Sequence, residues 1–175
     1  MACVAEVGVA EAVKEATAIV GKIISGGQTG SDRAALDFAI THGIPHGGWC
    51  PAGRRAEDGL IHSRYALDET PRANYAQRTA WNVRDSKGTA IFMIGRTLTG
   101  GSKTAAEFAT KYGRPWIHLS KAAIVDPAAA LRDFVARNKV TVLNVAGPRA
   151  SRDPRIYTTT KTILKAVLES TYEDM

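Results

Sequence analysis

The stretch Ile24 to Ala39, ISGGQTGSDRAALDFA, leaves a short apolar run, passes through two glycines, a Gln-Thr-Gly and an Asp-Arg, and enters a second apolar pattern. Ala34, Ala35, Phe38 and Ala39 recur at helical spacing after Ser31, while Lys22-Ile23-Ile24 reads as a strand, so the segment is a strand, a loop and a helix. Gly26, Gly27 and Gly30 relax the backbone between the two, and a helix N-terminus carries free N–H groups with partial positive charge. Glycines ahead of such a terminus let an anion approach backbone donors closely.

Outward from this segment the chain alternates short apolar runs with amphipathic ones. Strands are predicted at Lys22 to Ser25, Ile44 to Gly48, Thr89 to Ile94, Trp116 to Leu119 and Thr141 to Val145, with helices starting near Asp32, Arg72, Ser102, Pro127 and Pro154. This alternation predicts an α/β fold: a Rossmann-like, doubly wound, mainly parallel sheet with helices on both faces. At 175 residues and 45% hydrophobic content the chain reads as one domain over 1–175, with a leading amphipathic helix over 1–20 and a long loop over 47–71. Asp126-Pro127 and Asp153-Pro154 place a capping side chain before a proline at the first helical position, and Thr104 with Glu107 has capping-box spacing.

Glu6, Glu11 and Glu15 interrupt the N-terminal segment, no run is long enough to cross a bilayer, and a cytoplasmic protein without a membrane partner is expected. Cys3 and Cys50 are too few for a disulfide framework, and the four histidines lack ligand spacing, so no structural metal is expected. The net charge of +6 is not gathered into a Lys/Arg block, and no RNA-binding sheet signature is present, which argues against nucleic acid. The arginines instead sit in or beside glycine-bearing loops: Arg33, Arg54, Arg55, Arg96, Arg149, Arg152 and Arg155. A small anionic ligand is the expected partner.

Laid against itself, the chain repeats a plan. GGQTGSDRAALDFAITHGIP and GGSKTAAEFATKYGRP share Gly-Gly, a polar loop, an Ala-rich helix with an acid before Phe-Ala, then Gly-x-Pro. Gly43 and Gly113 suit left-handed helix C-caps, and Pro45 and Pro115 keep the helix from continuing. Convergence of two strand-helix-strand units on the same signals is the alternative to a true repeat. Gly26 to Gly30 lacks G-x-G-x-x-G spacing, and in GRTLTGGSKT Ser102 separates Gly101 from Lys103, which excludes a P-loop. What remains is oxyanion binding by backbone amides and by Thr29, Ser31, Ser102 and Thr104.

A third loop, Asn144 to Asp153, follows the last strand. Arg149 and Arg152 there suit charge-assisted bonds to phosphate oxygens, with Asn144 either a buried turn residue or a ligand contact. The long stretch from Gly47 to Pro71 sets Arg54 and Arg55 against Glu57 and Asp58, with Trp49 and Tyr65 nearby. It reads as surface ion pairs, or as a lid or subunit contact in which a ring stacks on a flat ligand or neighbour. Cys50 reads as a small buried residue.

GGQTGSDRAALDFA, GGWCPAGRRAEDG and GRTLTGGSKT together resemble the molybdenum carrier family, also described as molybdenum-cofactor carrier proteins, within a Rossmann-like group related to the cytokinin-activating phosphoribohydrolases (lysine decarboxylase-like). The resemblance runs over nearly the whole chain after Gly21. It implies a homo-oligomer, often a tetramer, that binds molybdenum cofactor, or a molybdate or phosphate-type oxyanion, without turnover and serves molybdoenzymes. Gly26, Gly27, Gln28, Thr29, Gly30, Ser31, Arg33, Arg96, Gly100, Gly101, Ser102, Lys103, Thr104, Asn144, Gly147, Arg149 and Ser151 make up the binding set. The phosphoribohydrolases carry Gly-Gly-x-Gly-Thr-x-x-Glu; here Lys103 replaces the third glycine while Thr104 and Glu107 stay in register, so a nucleotide phosphoribohydrolase using Glu107 is the enzyme alternative. A sensor of a nucleotide-derived ligand is a third. No Ser/His/Asp arrangement favours a further catalytic residue.

Overall fold

The computed structural model describes residues 20–168; the leading helix expected over 1–20 lies outside them apart from Val20. Five parallel strands form the central sheet: β1 (Lys22–Ile24), β2 (His46–Gly47), β7 (Gly88–Met93), β8 (Trp116–Ser120) and β9 (Val142–Ala146), in the order β2-β1-β9-β7-β8. Counted among these five alone, the order is 2-1-5-3-4. Counting the last strand first turns it into 3-2-1-4-5, the order of a doubly wound sheet, with the reversal between β9 and β7. Ile23 pairs with Leu143 on one side of β9, and Ala90 pairs with Val145 on the other.

Five helices cover the sheet: α1 (Ser31–Thr41), α2 (Tyr75–Asp85), α3 (Gly100–Lys111), α4 (Pro127–Asn138) and α5 (Ile156–Leu168). Every residue of β7 is buried, as a strand covered on both faces requires. Ala90 and Phe92 join Phe38 of α1, Leu131 of α4 and Leu164 of α5 in the main core. Ile91 and Met93 face the other way and pack on Ala105 and Ala106 of α3. The alternation along one strand therefore assigns α1, α4 and α5 to one side and α3, with α2 packed beside it, to the other.

Most boundaries fall within two residues of expectation, with instructive differences. The second strand shortens to His46–Gly47, and the second helix starts at Tyr75, where Asn74 Oδ1 accepts the Gln77 N–H at 2.8 Å. The third helix starts at Gly100, so Thr104 lies inside it and donates to Gly100 O at 3.2 Å, which replaces the expected capping box with Glu107. The Asp126-Pro127 start is as read, with Asp126 accepting from Ala129 N–H at 2.9 Å. After Asp153 the helix begins at Ile156, and Asp153 instead caps the turn through Arg155 N–H. The two helices of the repeated plan end alike: Gly43 (φ 64°) and Gly113 (φ 62°) are left-handed, and Ile44 and Arg114 each donate at 2.9 Å, to Ala39 O and Ala109 O.

The stretch over 47–71 is a folded unit with its own strand pairs. β3 (Trp49–Cys50) pairs in parallel with β6 (Asp68–Glu69), and β4 (Arg55–Ala56) pairs antiparallel with β5 (Gly59–Leu60). Cys50, Ile61, Tyr65 and Leu67 bury a satellite cluster against Leu36 of α1, and Cys50 is fully buried as expected. Arg54 does not pair with Glu57 or Asp58; its guanidinium donates to the carbonyls of Ile61, His62, Tyr65 and Leu67 and ties the segment to itself. At its outer edge Asp37 of α1 accepts from the hydroxyls of Tyr65 and Tyr157, each at 2.6 Å, and from Arg64.

Candidate functional site

A hollow of about 140 Å³ opens where the loops after β1, β7 and β9 come together at the carboxyl ends of the strands, the position of ligand crevices in such sheets. The β1 loop contributes Gln28, the start of α3 contributes Thr99, Gly100, Gly101 and Ser102, and the β9 loop contributes Gly147, Pro148, Arg149 and Arg152. Arg78 reaches in from α2.

Gln28 is 5% exposed and its orientation is dictated by its neighbours. Its Oε1 accepts the N–H groups of Thr29, at 3.0 Å, and Glu57, at 2.9 Å, so the carbonyl end of the amide is fixed and the NH₂ end faces away from them. That Nε2 is buried without a protein partner, as are Ser102 Oγ and Arg78 Nε. Buried donors without acceptors are costly, and three of them on residues lining one hollow mark a place built for acceptors. Helix α3 adds backbone: no side chain caps its start, and the backbone hydrogen bonds outside regular elements begin at this helix with Lys103 N–H donating to Thr99 O. The amides of Gly101 and Ser102 are thus available at the positive end of a 12-residue helix.

The start of α1 is organised differently from expectation. Asp32, 3% exposed, folds back so that its Oδ2 accepts the Gln28 N–H at 3.3 Å and pairs with Arg78 Nη1 at 2.9 Å. An internal carboxylate thus takes the Gln28 amide of the loop, while the N–H groups of Ser31 and Arg33 at the start of α1 donate to the Pro148 and Gln28 carbonyls. Burial pushes the Asp32 carboxyl above its ordinary value, against the opposing pull of Arg78 and the Gln28 amide. Gly26 is required here for space, because a Cβ would sit 1.9 Å from Arg78 Nη1.

Glu57 ties the first and third loops together. Its carboxylate accepts from Thr29 Oγ1, from Ser151 Oγ and from Ser151 N–H at 3.1 Å, and Arg149 Nε lies 4.0 Å away. Burial raises its pKa, but these hydrogen bonds outweigh burial and hold the carboxyl below its ordinary value. Thr29 in turn accepts the Ala150 N–H at 3.0 Å.

The sequence-derived binding residues therefore divide. Gln28, Gly100, Gly101, Ser102, Gly147 and Arg149 line the hollow. Gly26 and Gly30 stand behind it, against Arg78 and the Pro148 carbonyl, and Gly27 accepts from Arg33. Thr29 and Ser151 are taken up by Glu57, Arg33 forks onto Asp58 and Gly27 O, and Ser31 Oγ accepts from Thr160. Asn144 is buried within the sheet and donates to Thr89 Oγ1 at 3.2 Å. Lys103 and Thr104 lie on other faces of α3, and Arg96 is exposed on the β7 loop. Glu107, the acid of the enzyme alternative, lies outside the hollow, 3.9 Å from Lys103 and largely exposed.

Two features escaped sequence reading. Arg78 sits mid-helix, 46 residues from its partner Asp32, and nothing local sets it apart from a surface arginine. Tyr75, at the first position of α2, has the guanidiniums of Arg78 and Arg149 each 5.7 Å from its ring centroid. The rings singled out beforehand lie elsewhere: Tyr65 is buried in the satellite cluster, and Trp49 packs edge-on against Trp81 and donates to Asp85.

Comparison with known proteins bears on the family and the fold. No curated protein matches the chain. A crystal structure from Syntrophus aciditrophicus SB, named "Putative molybdenum carrier protein", superposes with a TM-score of 0.84 at 47% identity, over 86% of this chain and 96% of that one. A second solved structure, (E)-4-hydroxy-3-methyl-but-2-enyl diphosphate reductase, aligns over 93% of this chain and 66% of that one at 11% identity and a TM-score of 0.37, too low to carry an argument. Residues 23–168 match the family model described as the circularly permutated YpsA SLOG family, and the strand order, regular once the last strand is counted first, has the form that description leads one to expect. The chain belongs to the circularly permutated YpsA SLOG family.

Proposed function

We propose that the chain is a binding protein of the carrier type, holding the molybdenum cofactor or a related phosphate- or oxyanion-bearing ligand by its negatively charged end. The observation that carries this reading is that Gln28, Arg78 and Ser102, each with a buried and unpartnered polar atom, line one hollow together with Arg149, Arg152 and the first residues of α3. A volume of about 140 Å³ accommodates a tetrahedral oxyanion with a few waters, each of about 30 Å³, and leaves the remainder of a larger ligand to lie beyond its rim. The Arg78 and Arg149 guanidiniums that line the hollow also lie over the Tyr75 ring. Among the described residues no group of three or more His, Cys, Asp or Glu could hold a metal ion, and the reading needs none, since a cofactor's metal is held by the cofactor's own ligands. The name of the Syntrophus structure supports the same ligand class. The reading includes a homo-oligomer, with a tetramer favoured, that passes cargo to molybdoenzymes.

The test is thermal unfolding of purified protein with and without molybdopterin-type ligand or molybdate. A ligand bound only by the folded state at about 100 times its Kd adds about 2.7 kcal/mol. For a chain of this length that is a rise in Tm of roughly 5–10 °C. Absence of any shift with all these ligands rejects the reading.

A further inference from the structure

Charge and N–H groups in the hollow all lie on the donor side. Gln28 Nε2, Arg78 Nε, the Arg149 and Arg152 guanidiniums and the amides of Gly101 and Ser102 can only donate, the neutral hydroxyls of Thr99 and Ser102 can donate or accept, and among the described residues no aspartate or glutamate lines the hollow. The carboxylates that stand near are each spent on the protein: Asp32 on Arg78 and the Gln28 amide, Glu57 on Thr29 and Ser151, and Asp153 on Arg155. Gln28 is the clearest case, because two backbone N–H groups hold its oxygen and leave only its NH₂ without a protein partner. Gln28 Nε2 and Ser102 Oγ, on residues 5% and 2% exposed, are the unpartnered atoms of two side chains that line the hollow.

An oxyanion that keeps an acidic proton needs an acceptor for it. Placed among these donors with no carboxylate to receive it, a P–O–H group either sets its hydrogen against N–H hydrogens or takes a neutral hydroxyl, a weaker acceptor than a carboxylate, and in both cases leaves one donor unmatched. Inorganic phosphate carries such a proton throughout the neutral and mildly alkaline range. A phosphate monoester loses its last proton near pH 6, and sulfate and molybdate carry none at neutral pH. Resting on the anion-binding reading above, we infer that the hollow selects a fully deprotonated oxyanion terminus, the dianion of a phosphate monoester or a free tetrahedral dianion, and discriminates against hydrogen phosphate.

Calorimetric titration of the full chain at constant ionic strength tests this, using sulfate, molybdate, ribose 5-phosphate and inorganic phosphate as probes. Near pH 8, sulfate, molybdate or the monoester is expected to bind at least about tenfold more tightly than inorganic phosphate. Monoester affinity is expected to fall by about tenfold per pH unit below about pH 6, while sulfate affinity holds. Binding of molybdate and sulfate alone assigns the hollow to free oxyanions, and binding of the monoester alone assigns it to an esterified ligand; both support the selection. Gln28→Glu, which presents an acceptor in the same place, is expected to shift the ratio toward inorganic phosphate. The wild-type pH series decides the matter even where that variant fails to fold. Inorganic phosphate binding as tightly as the other probes, or a monoester affinity indifferent to its last ionisation, overturns the inference while leaving anion binding intact. Failure of every probe to bind overturns both.

Discussion

Arg78 and Asp32 form an ion pair at 2.9 Å between side chains only 14% and 4% exposed, and the same arginine lines the hollow with its Nε buried and without a protein partner. Removing one member of a buried pair leaves the other charge uncompensated, at a cost of about 3–5 kcal/mol. Asp32→Asn is expected to lie at the lower end of that range, because Asn still accepts the Gln28 amide. The freed guanidinium also gains a use for an external anion, so molybdate or sulfate should raise the Tm of the variant more than that of the parent. Denaturant unfolding with and without anion checks both statements.

Gly26 and Gly101 separate folding from binding. A methyl group on Gly101 meets nothing within 4 Å, and Ala is favoured over Gly in a helix by about 1 kcal/mol. Gly101→Ala is thus expected to leave Tm unchanged or slightly raised while narrowing the hollow and weakening anion binding. Gly26→Ala drives Arg78 from its place and is expected to lower both stability, by about 1–3 kcal/mol, and affinity. Paired melting and titration experiments distinguish the two patterns.

Glu57 is expected to control the acid limb of stability. Its pKa lies below the ordinary 4.5 in the folded chain, so its contribution is present above pH 4.5 and is lost as pH falls through the folded value. Asp32 acts in the opposite sense: with its pKa raised above 3.8, the folded chain holds a proton there that the unfolded chain has released, and stability declines with rising pH across that window. Glu57→Gln should therefore flatten the acid loss of stability and cost about 1–3 kcal/mol at neutral pH. Urea unfolding from pH 3 to pH 7, at about one-unit steps, reads both effects.

Asp37 joins α1 to α5 and to the segment over 47–71 through the two tyrosine hydroxyls and Arg64. Burial and the bond to Asp37 push both Tyr65 and Tyr157 up from the ordinary phenol range. Asp37→Ala is expected to return them toward it, visible as an earlier tyrosinate absorbance rise on alkaline titration, with a loss of about 2 kcal/mol from the unmade bonds.

Much of this architecture was readable because its signals are local. Strand and helix periodicity, Gly43 and Gly113 at helix ends, and Asp126 before Pro127 each act within a few residues. The glycine loops were recognisable as loops preceding helices for the same reason. The division of labour within them was not. Thr29, Arg33 and Ser151 have the chemistry of ligand contacts, yet Glu57 and Asp58, 25 to 94 positions away, claim them first. Arg78 is the converse case, an ordinary helical arginine that the fold carries to Asp32 and to the hollow. Strand order was equally hidden, since hydrophobic spacing within β9 says that it is buried and nothing about which neighbours it divides.

The placement of β9 has a consequence for biogenesis. Without it, β1 with β2 and β7 with β8 are two separate ribbons sharing no backbone bonds, and one wall of the hollow, the turn carrying Arg149 and Arg152, has not been made. On the ribosome neither ribbon can join the other until residue 146 has left the exit tunnel, so the central sheet and the wall that depends on it close together rather than strand by strand.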